Sequence, residues 1–272
     1  MGWTLILSSC FLLLGCGGSA ISTANGAAPT VSAAQSASSK TFANLQLSPG
    51  WAGAALLPSG YAMCKTCSPN GPEATWRMTP QISSPSLSGN ATQTDIGGQT
   101  PFADILWNNH LIGDFSSQNL PDGNHSLLPT LHNFTYDVYF YANNMSASQA
   151  VEFDINQFVG GKSYIWGHEC RIAGGNEWDI WDNQNQSWIP TGVPCNPVNN
   201  SWNHVVIQVQ RTAQNQLLFQ SITLNGKQSV LNHLENPTSS PWYGVTINYQ
   251  LDGNRIQQAY SIWLDKMNFS YW

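Results

Sequence analysis

Acidic residues concentrate in one short part of this 272-residue chain, where six of its 15 Asp and Glu residues lie between positions 152 and 182. Four of them form two Glu-x-Asp pairs. Because side chains alternate along a strand, each pair would place two carboxyls on one face. A polar residue follows each Asp three positions later. The two full patterns are therefore Glu152-x-Asp154-x-x-Gln157 and Glu177-x-Asp179-x-x-Asp182. Paired carboxyls can serve as nucleophile and general acid at a glycosidic bond, so these residues are candidate catalytic groups.

Other roles for these acids stay open. Gln157 cannot deliver a proton, and Asp182 is one methylene shorter than Glu. A site could instead take one carboxyl from each pattern, Glu152 and Glu177. The acids could also bind a structural Ca²⁺, cap a buried Arg or face water. The six His residues show neither HxH nor HExxH spacing, so the sequence predicts no transition-metal site and no cofactor.

Tryptophan is abundant, with 12 residues in the chain. Sugars present C–H faces that stack on aromatic rings, and their hydroxyls need polar partners. The candidate ligand-binding side chains near the two acidic patterns are Trp166, His168, Trp178, Trp181, Trp188 and Gln157. At least half of the Trp residues are expected in the core. Trp178 and Trp181 point to opposite faces of a regular strand, so at most one of those two is a core residue.

Short strands must position these side chains. Runs rich in β-branched and aromatic residues are separated by Gly, Asn and Asp, without a convincing helical pattern. The predicted strands cover residues 134–141, 150–159, 163–172, 178–181, 202–211, 217–224, 242–249 and 261–271. This pattern indicates an all-β fold, an antiparallel sandwich or barrel.

Three segments in the second half of the chain resemble the concanavalin A-like lectin/glucanase jelly roll. They are the Trp-led strand at 202–209, the Leu-Asn-Gly hairpin at 222–226 and the closing strand at 262–271. The resemblance implies a β-sandwich over residues 75–272, with two curved sheets of six or seven strands and a sugar-binding groove on the concave sheet. The two acidic patterns are similar to the catalytic strand of retaining glucanases in this superfamily, Glu-x-Asp-x-x-Glu. That likeness implies that Glu152 or Glu177 is the nucleophile.

The N-terminus has the character of an export signal. Its apolar run, residues 3–15, is shorter than the roughly 20 residues that cross a bilayer. The run ends in Leu-Leu-Gly-Cys and resembles the lipobox of bacterial lipoproteins, which implies a signal peptide over 1–16 and a lipid on Cys16. No Lys or Arg precedes Cys16, so an ordinary secretory signal is the alternative. Residues 17–50 are predicted to be a flexible Ala/Ser/Thr-rich linker, and 51–74 a Cys-containing loop.

The other cysteines fit an exported protein. We expect disulfides between Cys64 and Cys67 and between Cys170 and Cys195, as in an oxidising compartment. A zinc half-site or a redox pair is the alternative for the first two. However, zinc would need a second pair at similar spacing, and a redox pair should open a helix.

The net charge of the predicted domain limits which ligands it can bind. From residue 73 onward the chain has 15 acidic and seven basic residues, a net charge of −8, which disfavours nucleic acid. We therefore expect a monomeric, extracytoplasmic lipoprotein that contacts a membrane only through its lipid and binds a polysaccharide. The alternatives are a retaining glycoside hydrolase and a structural envelope or adhesion module.

Overall fold

The computed structural model describes residues 39–57, 62–64 and 74–272. Within these ranges the chain forms 18 β-strands and three single-turn 3₁₀ helices, at Leu45–Leu47, Leu128–Thr130 and Met145–Ala147. None of the helices in the described ranges is long and apolar enough to cross a membrane. The predicted all-β class is confirmed.

The strands follow the chain in order. They are β1 (Lys40–Phe42), β2 (Ala52–Leu57), β3 (Ala62–Cys64), β4 (Thr75–Ile82), β5 (Ala91–Gly97), β6 (Asp104–Gly113), β7 (Asn133–Ala142), β8 (Ser148–Val159), β9 (Lys162–Trp166), β10 (His168–Arg171), β11 (Glu177–Asp182), β12 (Ser187–Pro194), β13 (Trp202–Arg211), β14 (Leu217–Leu224), β15 (Lys227–Glu235), β16 (Thr238–Ser239), β17 (Gly244–Gly253) and β18 (Tyr260–Tyr271).

Two antiparallel sheets form the sandwich. The first has the order β15-β14-β13-β7-β18-β5-β4, and β1 pairs with β18. The second has the order β12-β11-β10-β8-β17-β6-β2-β3, and β9 pairs with both β8 and β16. The sheets therefore contain eight and ten strands, more than the predicted six or seven, because short edge strands extend both of them.

Alternation along the strands builds the core between the sheets. In β7 and β13 every second side chain is buried, as expected for strands with one face in the core. Phe153 of β8 packs across the interface against Phe140 of β7, with ring centroids 5.9 Å apart. Tyr136 of β7 contacts the same Phe153 ring edge to face, with centroids 5.9 Å apart. These aromatic contacts hold the two sheets together.

The sandwich begins earlier in the chain than predicted. β1 pairs with the last strand, and β2 pairs with β6, although these segments lie in the predicted linker (17–50) and loop (51–74). The linker prediction is therefore corrected for β1, and the loop prediction for β2. Neither segment has a strong alternating pattern, because strands of three and six residues bury few side chains.

The Cys170–Cys195 disulfide is present, with the two Cα atoms 5.6 Å apart. It joins β10 to the segment that follows β12, and both half-cystines are buried. The predicted Cys64–Cys67 disulfide and the predicted lipidation of Cys16 lie outside the residues whose side chains the structure describes.

Candidate functional site

The outer face of the ten-stranded sheet carries a broad set of polar side chains. β8 shows how the sequence directs them. Phe153 and Ile155 point into the core, so Glu152, Asp154 and Asn156 point outward. The Glu152-Asp154 pair therefore shares one face, as predicted from its spacing.

Four carboxyls from four strands meet at one end of this face. Glu152 of β8 lies directly opposite Glu169 of β10, and Asp252 of β17 lies opposite Asp104 of β6. Oxygen atoms of Glu152, Glu169 and Asp252 all lie within 4.8 Å of one another. We call these four residues the acidic cluster.

Few groups balance the negative charge of the acidic cluster. Gln250 Nε2 donates to Glu152 Oε1 at 2.6 Å and to Asp252 Oδ1 at 2.9 Å. Glu169 is only 6% exposed, yet no hydrogen bond reaches its carboxylate from any described residue. Within the described part of the chain no Lys or Arg lies within 4.0 Å of the cluster.

This environment changes the proton affinities of the carboxyls. Burial, and then the neighbouring carboxyls, raise the pKa of Glu169 to about 8. Burial raises the pKa of Asp104 to about 7, and the pKa values of Glu152 and Asp252 lie well above their ordinary range for the same two reasons. At neutral pH the cluster therefore retains protons, since buried carboxylates at this spacing repel one another.

The cluster has two chemical capacities. A protonated carboxyl beside an ionised one can act as a general acid beside a nucleophile or base. Alternatively, converging carboxylate oxygens from separate strands form the donor set that a hard cation such as Ca²⁺ prefers. Such an ion would add positive charge where Arg171, already bound to Asp179 and Glu177, is the charged side chain that acts on Glu169.

A groove of about 640 Å³ lies further along the same face. Its floor includes Asn108, Asn156 and Asn248, from three strands. Asn108 Nδ2 donates to Asn248 Oδ1, and Asn248 Nδ2 donates to Asp154 Oδ2 at 3.2 Å. Asn156 Oδ1 is buried without a hydrogen-bond partner among the described residues. We call this region the amide groove.

Aromatic residues stand at both sides of this face. Trp242, 51% exposed, lines the amide groove and stacks on His110 with ring centroids 5.9 Å apart. On the opposite side Trp181 and Trp188 pack edge to face at 5.2 Å, and both are partly exposed. A Cβ at Gly167 would lie 2.8 Å from Trp181 Cβ, so only glycine allows that Trp to pack there. Ligand binding by Trp181 and Trp188 stays a prediction.

The second acidic pattern adjoins the acidic cluster, because Asp179 lies directly opposite Glu169, but Arg171 binds its first two carboxyls. Arg171 bonds Asp179 through Nε at 2.7 Å and Glu177 through Nη2 at 3.1 Å, which is the Arg-capping alternative. Asp182 points to the opposite side of β11 and accepts hydrogen bonds from Gln184 N and Asn185 N in the following turn. The hydrogen bonds to Asn185 lower the pKa of Asp182. A proton-donor role for Asp182 is therefore wrong, and Glu152 faces Glu169 instead of Glu177.

Four predicted ligand-binding residues are core residues instead. Trp166, Trp178 and His168 are almost fully buried between the sheets. Burial lowers the pKa of His168 to about 3, so it is neutral. Gln157 is on the inner face of β8 and accepts a hydrogen bond from Arg211 Nε at 3.0 Å. These assignments are corrected, because no ligand on the outer face can reach these side chains.

Several site residues were not among the predicted ones. Glu169, Asp104 and Asp252 complete the cluster, and Asn108 and Asn248 form the groove floor. The sequence does contain a pattern that could have identified Asn248 and Asp252. The polar positions 246, 248, 250 and 252 alternate with apolar ones, which indicates that β17 extends past the predicted end at 249. No such pattern in the sequence predicts which strands pair with one another in the sheet.

Comparison with solved structures finds similar folds at low sequence identity. A cellulose-induced protein matches with 10% identity and a TM-score of 0.46, over 81% of this chain and 90% of that one. Arcelin-5, a lectin-like defence protein from Phaseolus vulgaris, matches with 12% identity and a TM-score of 0.42, over 87% and 99%. Peanut lectin matches with 12% identity and a TM-score of 0.38, over 86% and 97%.

These likenesses concern the fold. The strand pairing of the chain itself shows a two-sheet antiparallel sandwich. No protein-family model and no curated protein sequence matches the chain significantly.

Proposed function

We propose that this protein binds a polysaccharide in the amide groove. The observation that carries the proposal is the combination of the Asn-rich floor with the exposed ring of Trp242 in one groove. Pyranose rings stack on aromatic faces, and their hydroxyls exchange hydrogen bonds with side-chain amides. The partly exposed Asn108 and Asn248 present their amide groups to the groove.

The groove also suits a polymer better than a small molecule. The partly exposed Trp181–Trp188 pair lies on the same outer face of the sheet as Trp242. A chain of sugars lying across this face would contact both aromatic groups. A hydrophobic metabolite would instead require an enclosed apolar pocket.

The proposed setting is the cell exterior. The apolar segment that ends at Cys16 supports export, and lipidation of that Cys would keep the domain at a membrane surface. The observed Cys170–Cys195 disulfide fits an oxidising compartment. We therefore propose an exported, membrane-tethered glycan-binding protein.

Affinity electrophoresis tests the proposal. The protein is run in gels that contain β-glucan, xylan, alginate or pectin, and its mobility is compared with that in an empty gel. We expect at least one polysaccharide to retard it. Trp242→Ala should remove most of the retardation, because it removes the stacking ring.

Trp263→Ala is the matched control. This Trp is also partly exposed, but it lies on the other sheet, where it contacts Tyr141. It should leave retardation unchanged. Equal loss in both variants, or no retardation by any polysaccharide, would contradict binding in the groove and favour a structural envelope role.

One observation favours a second function, glycoside hydrolysis. Glu152 and Glu169 face each other across neighbouring strands on the groove side of the sheet. Their oxygens approach within 4.8 Å, comparable to the roughly 5–5.5 Å between the carboxyls of retaining enzymes. The high pKa of Glu169 would keep it protonated as a general acid.

A reducing-end assay on the same polysaccharides tests hydrolysis. Release of reducing ends that disappears in Glu169→Gln and Glu152→Gln would support the enzyme. Retardation without any release would leave only binding. Glu177→Gln serves as the control, because Arg171 already neutralises Glu177 away from the cluster.

A further inference from the structure

A second cleft, of about 930 Å³, lies beyond the Trp242 side of the amide groove. The turn between β8 and β9, the turn between β13 and β14, and the segment that leads into β17 form its walls. Ser240 and Trp242 line both this cleft and the amide groove. We call it the rim cleft.

Arg211 lines the rim cleft with only 6% of its surface exposed. Its Nε and Nη1 donate to the side-chain oxygens of Gln157 and Asn215. Its Nη2 donates to the main-chain carbonyls of Pro129 at 2.7 Å and Leu131 at 3.1 Å. Nη2 also lies 3.4 Å from His132 Nε2, and the guanidinium carbon lies 5.8 Å from the centre of the Tyr164 ring. Nη1 carries a second N–H besides the one that Asn215 accepts.

The charge of Arg211 has no counter-ion. The side-chain amides and main-chain carbonyls that accept its hydrogen bonds are neutral, and no described carboxylate lies within 4.0 Å of the guanidinium. A buried cation without an anionic partner is costly, since protein interiors solvate charge poorly. Desolvation accordingly lowers the pKa of Arg211 below its usual range. The rim cleft therefore offers a buried positive charge that an anion would stabilise.

The rest of the lining reinforces this charge. Lys162 also lines the cleft, and no Asp or Glu does so among the described residues. The nearby Asp122 is not part of the lining, and its carboxylate accepts hydrogen bonds from the Tyr243 hydroxyl and three main-chain N–H groups. A cationic cleft thus adjoins the groove of a domain whose net charge is −8.

We propose that the rim cleft binds an anionic sugar, one that carries a carboxylate or a sulfate ester. Arg211 Nη1 and Lys162 contact the anion, and the ring of Trp242 contacts the sugar. One part of this inference rests on the proposed function: the anionic sugar belongs to a longer glycan whose other sugars lie in the amide groove. Such a glycan passes Trp242 into the rim cleft, which gives the protein a preference for acidic polysaccharides.

Small sugars test the cleft without a polymer. The full chain, labelled with ¹⁵N, is titrated at constant ionic strength with galactose, sodium galacturonate and galactose 6-sulfate. We expect saturable amide shifts at Gly160, Gly161 and Asn215 with at least one anionic sugar and not with galactose. The anionic sugar that binds more tightly identifies the substituent. Equal responses to all three sugars, or no saturable response, would overturn the inference.

Lys162→Gln is the test variant because its side chain is exposed and its replacement should not affect folding. It should weaken binding of the anionic sugar about 2- to 5-fold, as expected for one exposed ion pair. Lys227→Gln, the same change at the exposed first residue of β15, should have no effect. Equal weakening by both would indicate only non-specific charge and contradict the assignment.

The two proposals fail differently. Anion-specific shifts in the rim cleft without retardation by any polysaccharide would contradict glycan binding in the amide groove and leave the rim cleft supported. If polysaccharides retard the protein in a Trp242-dependent way but the rim cleft does not respond to anionic sugars, glycan binding in the amide groove is supported and the anion site in the rim cleft is contradicted.

Discussion

Glu152 on β8 and Glu169 on β10 occupy directly opposed positions across a pair of antiparallel strands, and both are buried. Opposed like charges destabilise a sheet, and burial increases the cost. Asp252 adds a third carboxyl within 4.8 Å. Such an arrangement opposes folding unless protons or a cation neutralise it. The acidic cluster is therefore the part of the molecule whose energetics depend most on solution conditions.

Removing one of these charges should stabilise the fold. Glu169→Gln keeps the shape and removes a carboxylate that has no hydrogen-bond partner among the described residues. In EDTA at pH 8 we expect the free energy of unfolding to rise by about 1–2 kcal/mol, a melting temperature higher by roughly 2–8 °C. Differential scanning calorimetry measures the shift.

Asp265→Asn is the control with the opposite expectation. Asp265 is also fully buried, but it accepts hydrogen bonds from Ser86, Leu87 and Ser88. Its replacement should lower stability by about 1–3 kcal/mol, because donors to a carboxylate lose their acceptor. A Glu169→Gln variant that is also destabilised would contradict the repulsion argument.

Stability should fall as pH rises through the neutral range. The pKa of Glu169 is about 8 in the folded state, against 4.5 for an ordinary Glu, so between these values the folded state binds more protons than the unfolded state. The free energy of unfolding then decreases with increasing pH. Carboxyls with lowered pKa values, such as Asp265, lose their contribution only at lower pH, below about 4.

Urea unfolding at intervals from about pH 4.5 to 8.5 measures this dependence. We expect the midpoint to decrease across the range, and the decrease to be smaller in Glu169→Gln. A midpoint that is flat or rises with pH in the wild-type protein would show that the cluster is not protonated as described.

Calcium should reverse the effect of high pH. Ca²⁺ requires ionised oxygen ligands, so it competes with protons for the acidic cluster. We expect millimolar CaCl₂ to raise the melting temperature at pH 8 more than at pH 6, as a ligand that binds only the folded state does. Glu152→Gln should abolish the increase, whereas Glu177→Gln should preserve it because Arg171 holds Glu177 elsewhere. An equal increase in both variants would indicate a site other than the cluster.

The sequence predicted the strands better than it predicted the site. Alternation located β13 and β14 at the observed bounds, since one buried face leaves a period of two. It could not show that β10 pairs with β8, because strand order depends on contacts between distant segments. For that reason the sequence suggests a site shared by Glu152 and Glu177, whereas the structure places Glu169 opposite Glu152. Likewise, Trp166 and Trp178 have the composition of sugar-binding residues, and only their burial identifies them as core.

The core Trp residues should affect stability without contributing to binding. Trp178 is 1% exposed, so Trp178→Ala leaves a large cavity and should cost about 3–5 kcal/mol. Trp242→Ala should cost less, about 1–2 kcal/mol, since that ring is half exposed and loses only its contacts with His110 and Phe158. Chemical denaturation measures the stability of both variants, and affinity electrophoresis of the folded proteins measures their binding. A Trp242→Ala protein as destabilised as Trp178→Ala would contradict the assignment of Trp242 to the groove surface.

The Cys170–Cys195 disulfide should stabilise the strands that carry the acidic cluster. It closes a chain segment with a sequence separation of 25 residues, and cross-links of that length typically contribute about 2–4 kcal/mol by restricting the unfolded chain. Cys170 lies beside Glu169, so loss of the cross-link should also loosen the edge strands β10 to β12. We expect Cys170→Ser/Cys195→Ser to lower the melting temperature by roughly 4–16 °C and to increase amide exchange first in β11 and β12. Non-reducing peptide mapping of the wild-type protein must recover the linked peptides, and free thiols at both positions would contradict the assignment.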